Sequence, residues 1–216
     1  NSVSVLYGAR IGNGNVIFPG AVISAVPQDL KFRGEETTAE VGDNNKIREN
    51  VTINRGTAAK GKTCVGSGNL LMESVHVAHD AFVGNDCIIG NGTKLAGEII
   101  IDDHAIISAN VLMHQFCRVG GYTMVGGGTR FSQDIPPYTI CAREPVAYCG
   151  LNLVGLRRRG FSNELIENIH NTYRIIYQGG VPLNEALQKV REEVPASPEI
   201  NYIIEFIENS KRGFVH

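Results

Sequence analysis

The chain has 216 residues, 43% of them hydrophobic, with a formal net charge of −2 and a pI near 6.3. That balance excludes a general nucleic-acid binder, which needs a basic surface. No run reaches the roughly 18 uncharged apolar residues of a membrane helix, so no membrane span is expected.

From the N-terminus, Val5, Ile11, Ile17 and Ile23 fall six residues apart, with Val3, Ala9, Asn15 and Ala21 two places before each. A step of six matches neither the 3.6 period of an α-helix nor the period of two of a half-buried strand. It matches a parallel β-helix of hexapeptide repeats, each repeat supplying one short strand and one corner. The aliphatic residue points inward, and the small residue two places before it fits the corner. Three hexapeptides close a triangular coil of eighteen residues, and coils stack at the roughly 4.8 Å spacing of paired strands. Because the beat already runs at the first residues, further coils are expected ahead of them.

Ser24–Glu40 interrupts the beat, whose next positions would be Asp29 and Glu35. Carboxylates cannot fill an apolar interior, so this segment is expected to leave the coil as a loop. Val41, Ile47 and Ile53 restore the beat, and Gly56–Lys62 forms a second, smaller excursion. Loops carried on a rigid scaffold are favoured places for function. From Val65 to Phe131 every sixth residue is apolar without exception, and a glycine often follows, as at Gly66, Gly84, Gly90, Gly120 and Gly126. Glycine or asparagine is expected to take the strained turn conformation. Cys87 and Cys117 hold the small corner position as small hydrophobes. The cysteines (Cys64, Cys87, Cys117, Cys141, Cys149) form no CxxC pair, and the chain as given opens without a signal-like segment. A reducing cytoplasm is therefore the expected compartment.

Pro136-Pro137 is expected to end the repeat, since proline cannot donate to a strand ladder. The β-helix then spans 1–137, followed by an irregular bridge over 138–160 and a helical region over 161–216. Ser162 reads as the N-cap of a helix striped by Leu165, Ile166, Ile169, Tyr173, Ile176 and Tyr177, ending at Gly179-Gly180. Leu183, Ala186, Leu187, Val190 and Val194 mark a second helix. Ser197-Pro198 opens a third, faced by Ile200, Ile203, Ile204 and Ile207.

Histidine is the informative polar residue on such a prism, because its pKa lies near working pH. His79 stands two places past the inward Val77 and so faces outward; His76 and Asp80 flank it. Gly97 and Gln115 lie one and two coils further on in the same column, and His114 adjoins Gln115. One flank is thus expected to collect His79, Gly97, Gln115 and His114. A neutral histidine beside a carboxylate, facing a backbone N–H that no side chain covers, suits acyl transfer. His79 takes a hydroxyl proton as general base, Asp80 orients the ring, and the Gly97 N–H receives the oxyanion. No serine or cysteine nucleophile is needed if the two substrates meet directly.

Several stretches resemble one family in order along nearly the whole chain. They are Gln28–Lys31, Asn69–Met72, His76–Asp80, Leu95–Gly97, His114–Cys117, Pro136–Tyr138 and Gly155–Phe161. The family is the acyl-[acyl-carrier-protein]–UDP-N-acetylglucosamine O-acyltransferases of lipid A biosynthesis. The resemblance implies a left-handed coil, which the usual right-handed crossover rule would not have indicated. It implies a homotrimer with active sites between neighbouring prisms. The reaction it implies moves a 3-hydroxyacyl chain from acyl carrier protein to the glucosamine 3-OH of UDP-N-acetylglucosamine, with no cofactor and no metal. By motif position, His79 matches the general base, Asp80 its partner and Gly97 the oxyanion donor. Asp29, Lys31, His76, His114 and Gln115 match substrate contacts, and Asn152, Arg158 and Arg159 match positions near the nucleotide. Gly127 matches a residue that sets acyl length, glycine leaving room for a long chain. Glu98, Pro145 and Val154 depart from residues common in the family, which bears on nucleotide and phosphate contacts.

Simpler readings stand beside these. Asp29 and Lys31 read equally as a loop pair, Asn152 as a turn former, and Gly127 as a residue required by turn geometry. Arg157–Arg159 with Lys211 and Arg212 reads either as a solvated basic face or as a contact for the acidic carrier or nucleotide phosphates. Among whole functions, a trimeric zinc hydratase using His76, His79 and His114 is one rival. The paralogous N-acyltransferase of the same pathway is another, and a non-catalytic scaffold the third.

Overall fold

The structure, a computed structural model, describes residues 2–216. Short strands, parallel except for the last strand of the largest sheet, stack into three sheets of seven, six and eight strands, which form the faces of a left-handed β-helical prism. Most strands end on an inward residue of the six-residue beat, and register follows the coil, with His76 opposite Lys94 and Val77 opposite Leu95. The two excursions lengthen their coils. Ile23 pairs with Ile53, and Ile53 with Val77, so the insertions keep the beat in phase. The loops are shorter than expected, because the strands Val22–Ala25 and Thr38–Val41 take up both ends of the first excursion.

Inward residues from Ile23 to Val125 have between 0% and 5% of their surface exposed. Burying each aliphatic side chain contributes about 1.5–3 kcal/mol, so the axial column is the main stabilising feature of the prism. The corner residues Thr63, Asn69, Cys87, Thr93 and Cys117 are buried as well. Asn69 bridges neighbouring coils, accepting from the Cys87 N–H at 2.7 Å and donating to the Gly84 carbonyl at 2.9 Å. Burial pushes the Cys87 thiol up to about 12.

Glycine and asparagine do take left-handed turn positions, at Gly14, Gly20, Gly68, Gly92, Gly128, Asn44, Asn50 and Asn110, but the glycines directly after the inward residues do not. The left-handed residue falls two places after that position, where the chain also accepts Ser74, Asp80, Asp86, Glu98 and His104, with φ between 52° and 63°. Gly66, Gly84, Gly90 and Gly120 instead answer the packing of one coil on the next. A Cβ on Gly66 would stand 2.5 Å from the Gly84 carbonyl oxygen, and one on Gly120 2.4 Å from the Pro137 nitrogen.

The repeat also continues past Pro136-Pro137. Strand Thr139–Ala142 pairs in parallel with Met124–Val125, placing Cys141 against Val125, and strand Ala147–Leu151 returns antiparallel beside it. The expected irregular bridge therefore contains two strands and helix α1 (Leu153–Arg158). The Thr123 and Thr139 hydroxyls both donate to the Pro136 carbonyl and hold this segment against the last coil.

Helices α2 (Asn163–Gln178), α3 (Leu183–Glu193) and α4 (Pro198–Glu208) follow the sequence expectation. Ser162 and Ser197 cap α2 and α4 by accepting from the N–H groups of Leu165 and Ile200. Their apolar faces meet around Ile169, Tyr173, Leu187, Val190, Ile203 and Phe206. Two tyrosines tie the helices to the prism. Tyr173 donates to the Pro137 carbonyl at 2.6 Å, and Tyr202 donates to Asp102 while accepting from the Gly121 N–H. The C-terminus returns to the last coil, where Val215 joins the prism core.

Candidate active site

His79 and Asp80 lie on the corner that follows strand His76–Val77. Asp80 has φ 59°, a conformation that asparagine and aspartate adopt more readily than other side-chain-bearing residues. This turn sets the Asp80 Oδ2 2.8 Å from His79 Nδ1. Both residues are buried, with 6% and 1% of their surfaces exposed. His79 thus points off the prism face but is roofed by chain, which the simple outward-facing expectation did not anticipate.

The roof consists of the two excursions. From the second, the Thr57 N–H donates to Asp80 Oδ1 at 3.0 Å, the Thr57 hydroxyl to Oδ2 at 2.6 Å, and the Lys60 N–H to Oδ1 at 3.2 Å. The Asp80 N–H bonds the Thr63 hydroxyl at 2.8 Å. This many donors fix the buried carboxylate in place. From the first excursion, Asp29 brings Oδ2 to 3.9 Å from His79 Nε2. Its Oδ1 accepts the Lys31 N–H at 2.9 Å, a turn-forming bond between the two.

The predicted column is present. A Cβ added to Gly97 would lie 2.6 Å from His79 Cε1 and Nε2 and 3.1 Å from Gln115 Nε2. Glycine is therefore required by close approach, and the Gly97 N–H is taken up by no other group among the described residues. His76 completes the wall, with Nδ1 2.7 Å from the Thr52 hydroxyl. Burial, with Lys94 and His79 nearby, holds its pKa below the ordinary histidine value. These groups line a cavity of about 320 Å3 together with Gln28 and Asn54.

Other predicted residues lie elsewhere in the chain. His114 is exposed and lines a groove of about 400 Å3 with Arg130 and Phe131, which adjoins the His79 cavity at Leu112 and Met113. His114 and Gln115 both follow strand Leu112–Met113, which lies in the same sheet as His76–Val77, so Gln115 enters the His79 cavity and His114 the groove next to it. Asn152 is buried as the cap of α1, its Oδ1 accepting from the Gly155 N–H and its Nδ2 donating to the Tyr122 carbonyl. Both polar ends are thus engaged within the chain, which favours the turn-former reading over a free ligand contact. Arg158 and Arg159 end α1; the Arg159 guanidinium sits 5.9 Å over the Tyr122 ring, on a different corner from His79.

Gly127 follows the third sheet, and turn geometry does not explain it. Its φ is not left-handed, and a Cβ would only touch the Ala109 carbonyl at 3.4 Å. Glu98 directs its carboxylate to within 4.0 Å of Lys60 Nζ. Among the described residues no cluster of three or more His, Cys, Asp or Glu side chains is arranged to hold a metal. Sequence reasoning missed Thr57, Lys60 and Thr63. The usable signal was the position of the second excursion, one coil before His79-Asp80.

A left-handed hexapeptide-repeat prism bearing a histidine–aspartate pair beside an open glycine defines an acyltransferase of that repeat class. The family model for Udp N-acetylglucosamine O-acyltransferase, domain 2, matches residues 134–215. The UDP-N-acetylglucosamine acyltransferase LpxA of Bacteroides fragilis 9343 is 73% identical, with TM-score 0.97, over 100% of this chain and 84% of that one. LpxA of Acinetobacter baumannii is 38% identical, with TM-score 0.95, over 100% of this chain and 84% of that one. The Arabidopsis enzyme is 30% identical, with TM-score 0.92, over 100% of this chain and 86% of that one. The chain belongs to the UDP-N-acetylglucosamine acyltransferase family.

Proposed function

We propose that the protein transfers a 3-hydroxyacyl chain from the thioester of acyl carrier protein to the glucosamine 3-OH of UDP-N-acetylglucosamine, opening lipid A synthesis. The observation that carries this reading is the His79–Asp80 pair at 2.8 Å with Gly97 against the same ring. With Nδ1–H bonded to Asp80, the imidazole presents Nε2 as an acceptor to the cavity. It takes the proton of the sugar 3-OH as that oxygen attacks the thioester carbon. The Gly97 N–H stabilises the oxyanion, the C–S bond breaks, and the imidazolium returns its proton to the leaving thiolate.

His76, held neutral by burial, and Gln115 contact substrate from the same wall, with Asp29 and Lys31 approaching from the first excursion. His114 lines the groove next to the His79 cavity, whereas Gly127, Arg158 and Arg159 lie away from His79 within one chain. A homotrimer places such residues of one copy beside the His79 cavity of the next. Phe82, Leu112 and Phe116 support that assembly, being large apolar side chains 45–50% exposed on the prism. Gly127 then leaves acyl space in the shared groove.

The test is mass spectrometry of product formed from UDP-N-acetylglucosamine and a panel of 3-hydroxyacyl carriers. His79→Ala is expected to lower turnover by about 10²–10⁴-fold while the protein stays folded. Retained turnover would remove His79 from the mechanism.

A further inference from the structure

We infer that Thr57 is a positioning residue for the reaction, acting through Asp80 to set the orientation and basicity of His79. The inference rests on the general-base reading above and extends it to a loop that the family motifs do not include.

The geometry is specific. Thr57 grips both oxygens of Asp80, its N–H on Oδ1 and its hydroxyl on Oδ2 at 2.6 Å. Oδ2 is the same oxygen that receives His79 Nδ1 at 2.8 Å. Two donors therefore share one acceptor, and the hydroxyl draws off part of the charge that would otherwise act on the imidazole. Thr57 itself is 6% exposed, so water does not stand in readily when the hydroxyl is lost. The other donor from this loop to the Asp80 carboxylate is backbone, the Lys60 N–H on Oδ1, while the Thr57 hydroxyl also accepts the Ala59 N–H at 3.2 Å and so fixes the loop turn. The second excursion is thus a carboxylate cradle with one replaceable side-chain donor. Charge-assisted bonds of this kind are stronger than neutral ones, so losing one is expected to be visible in rate.

Two consequences follow. Without the hydroxyl, Asp80 is held at one oxygen fewer, the ring is less well oriented, and kcat falls. With His79 as the sole side-chain donor on Oδ2, the imidazolium is better stabilised, so the acid limb of the pH–rate profile moves to higher pH.

The experiment uses the full-length enzyme with carrier-bound 3-hydroxyacyl substrate. Thr57→Val, close in shape but without the hydroxyl, is expected to lower kcat about tenfold or more with KM little changed, and to move the acid limb upward. Thr57→Ser is expected to recover most of the loss. In an Asp80→Ala background, Thr57→Val is expected to add little, because its route to His79 is already gone. Wild-type kcat with an unmoved profile in Thr57→Val overturns the inference, as does full additivity with Asp80→Ala. Thr57→Ala, which leaves a small gap in place of a misfitted methyl, gives the same readings if the valine variant does not fold. His79→Ala separates the two levels: if it stays active the general-base reading fails, whereas an inactive His79→Ala beside an unaffected Thr57→Val defeats only the role of Thr57.

Discussion

Gly97 is the residue where space alone decides chemistry. A Cβ there would press into the His79 ring at 2.6 Å, so Gly97→Ala is expected to displace the imidazole. Turnover should fall at least tenfold with near-normal thermal stability, read by steady-state rates and a melting curve. His76 offers a pH test. Its folded pKa is depressed below 6.5, chiefly by burial. The unfolded chain therefore binds that proton more readily, and the associated stability is complete above pH 6.5 and lost as pH falls through the depressed value. Thermal melts from pH 7.5 to 5 should show declining stability, with a shallower decline in His76→Gln. A slope unchanged by that substitution would show that His76 does not contribute. Much of the site was legible at this scale: His79, Asp80, Gly97 and Gln115 follow from the column of eighteen. His114 lines the groove next to the cavity and not the cavity itself, a distinction that counting by eighteen does not resolve.

Among the structural elements, coil-to-coil contact and corner conformation make separate demands. Gly120→Ala places a Cβ 2.4 Å from the Pro137 nitrogen, against backbone that cannot yield. It should destabilise by about 1–3 kcal/mol, the usual range for overpacking, and lower the melting temperature accordingly. Gly127→Ala meets only ordinary contact at 3.4 Å and should melt like the parent; its effect, if the groove holds the acyl chain, belongs in substrate preference. The glycines that follow inward residues looked like turn formers in the sequence. They are coil-contact glycines instead, since a Cβ there would meet the next coil, whereas the left-handed turn falls two places on, at Gly68, Gly92 or Gly128 as well as at Asp80, Glu98 and His104. The strand Thr139–Ala142 escaped notice because it follows two prolines and abandons the beat, its pairing with Met124–Val125 being visible only in three dimensions.

For the whole molecule, prism and helices are joined by few polar contacts. Tyr202 is prominent among them, bonded to Asp102 and Gly121. Asp102 has its pKa raised by burial, opposed by the Tyr202 hydrogen bond. Tyr202→Phe leaves this carboxylate short of a donor and should destabilise the molecule by about 1–3 kcal/mol, measured by denaturant midpoint. The proposed trimer gives the remaining test. Phe116, half exposed on the His79 corner, should tolerate Phe116→Asp within one prism yet weaken self-association, seen as a lower mass in sedimentation. An unchanged trimer mass would remove that face from the interface.

The six-residue beat determined the prism, its axial core and the histidine–glycine column, because every stacked coil repeats one geometric unit and register then follows from counting. The helices were equally legible, since caps and apolar stripes are local signals. Only the tertiary structure decided how Asp80 is held. Thr57 and Lys60 lie in a segment without periodicity, and they reach the carboxylate because an insertion folds back over the neighbouring coil. Such contacts depend on where a loop lands, which no local residue preference encodes.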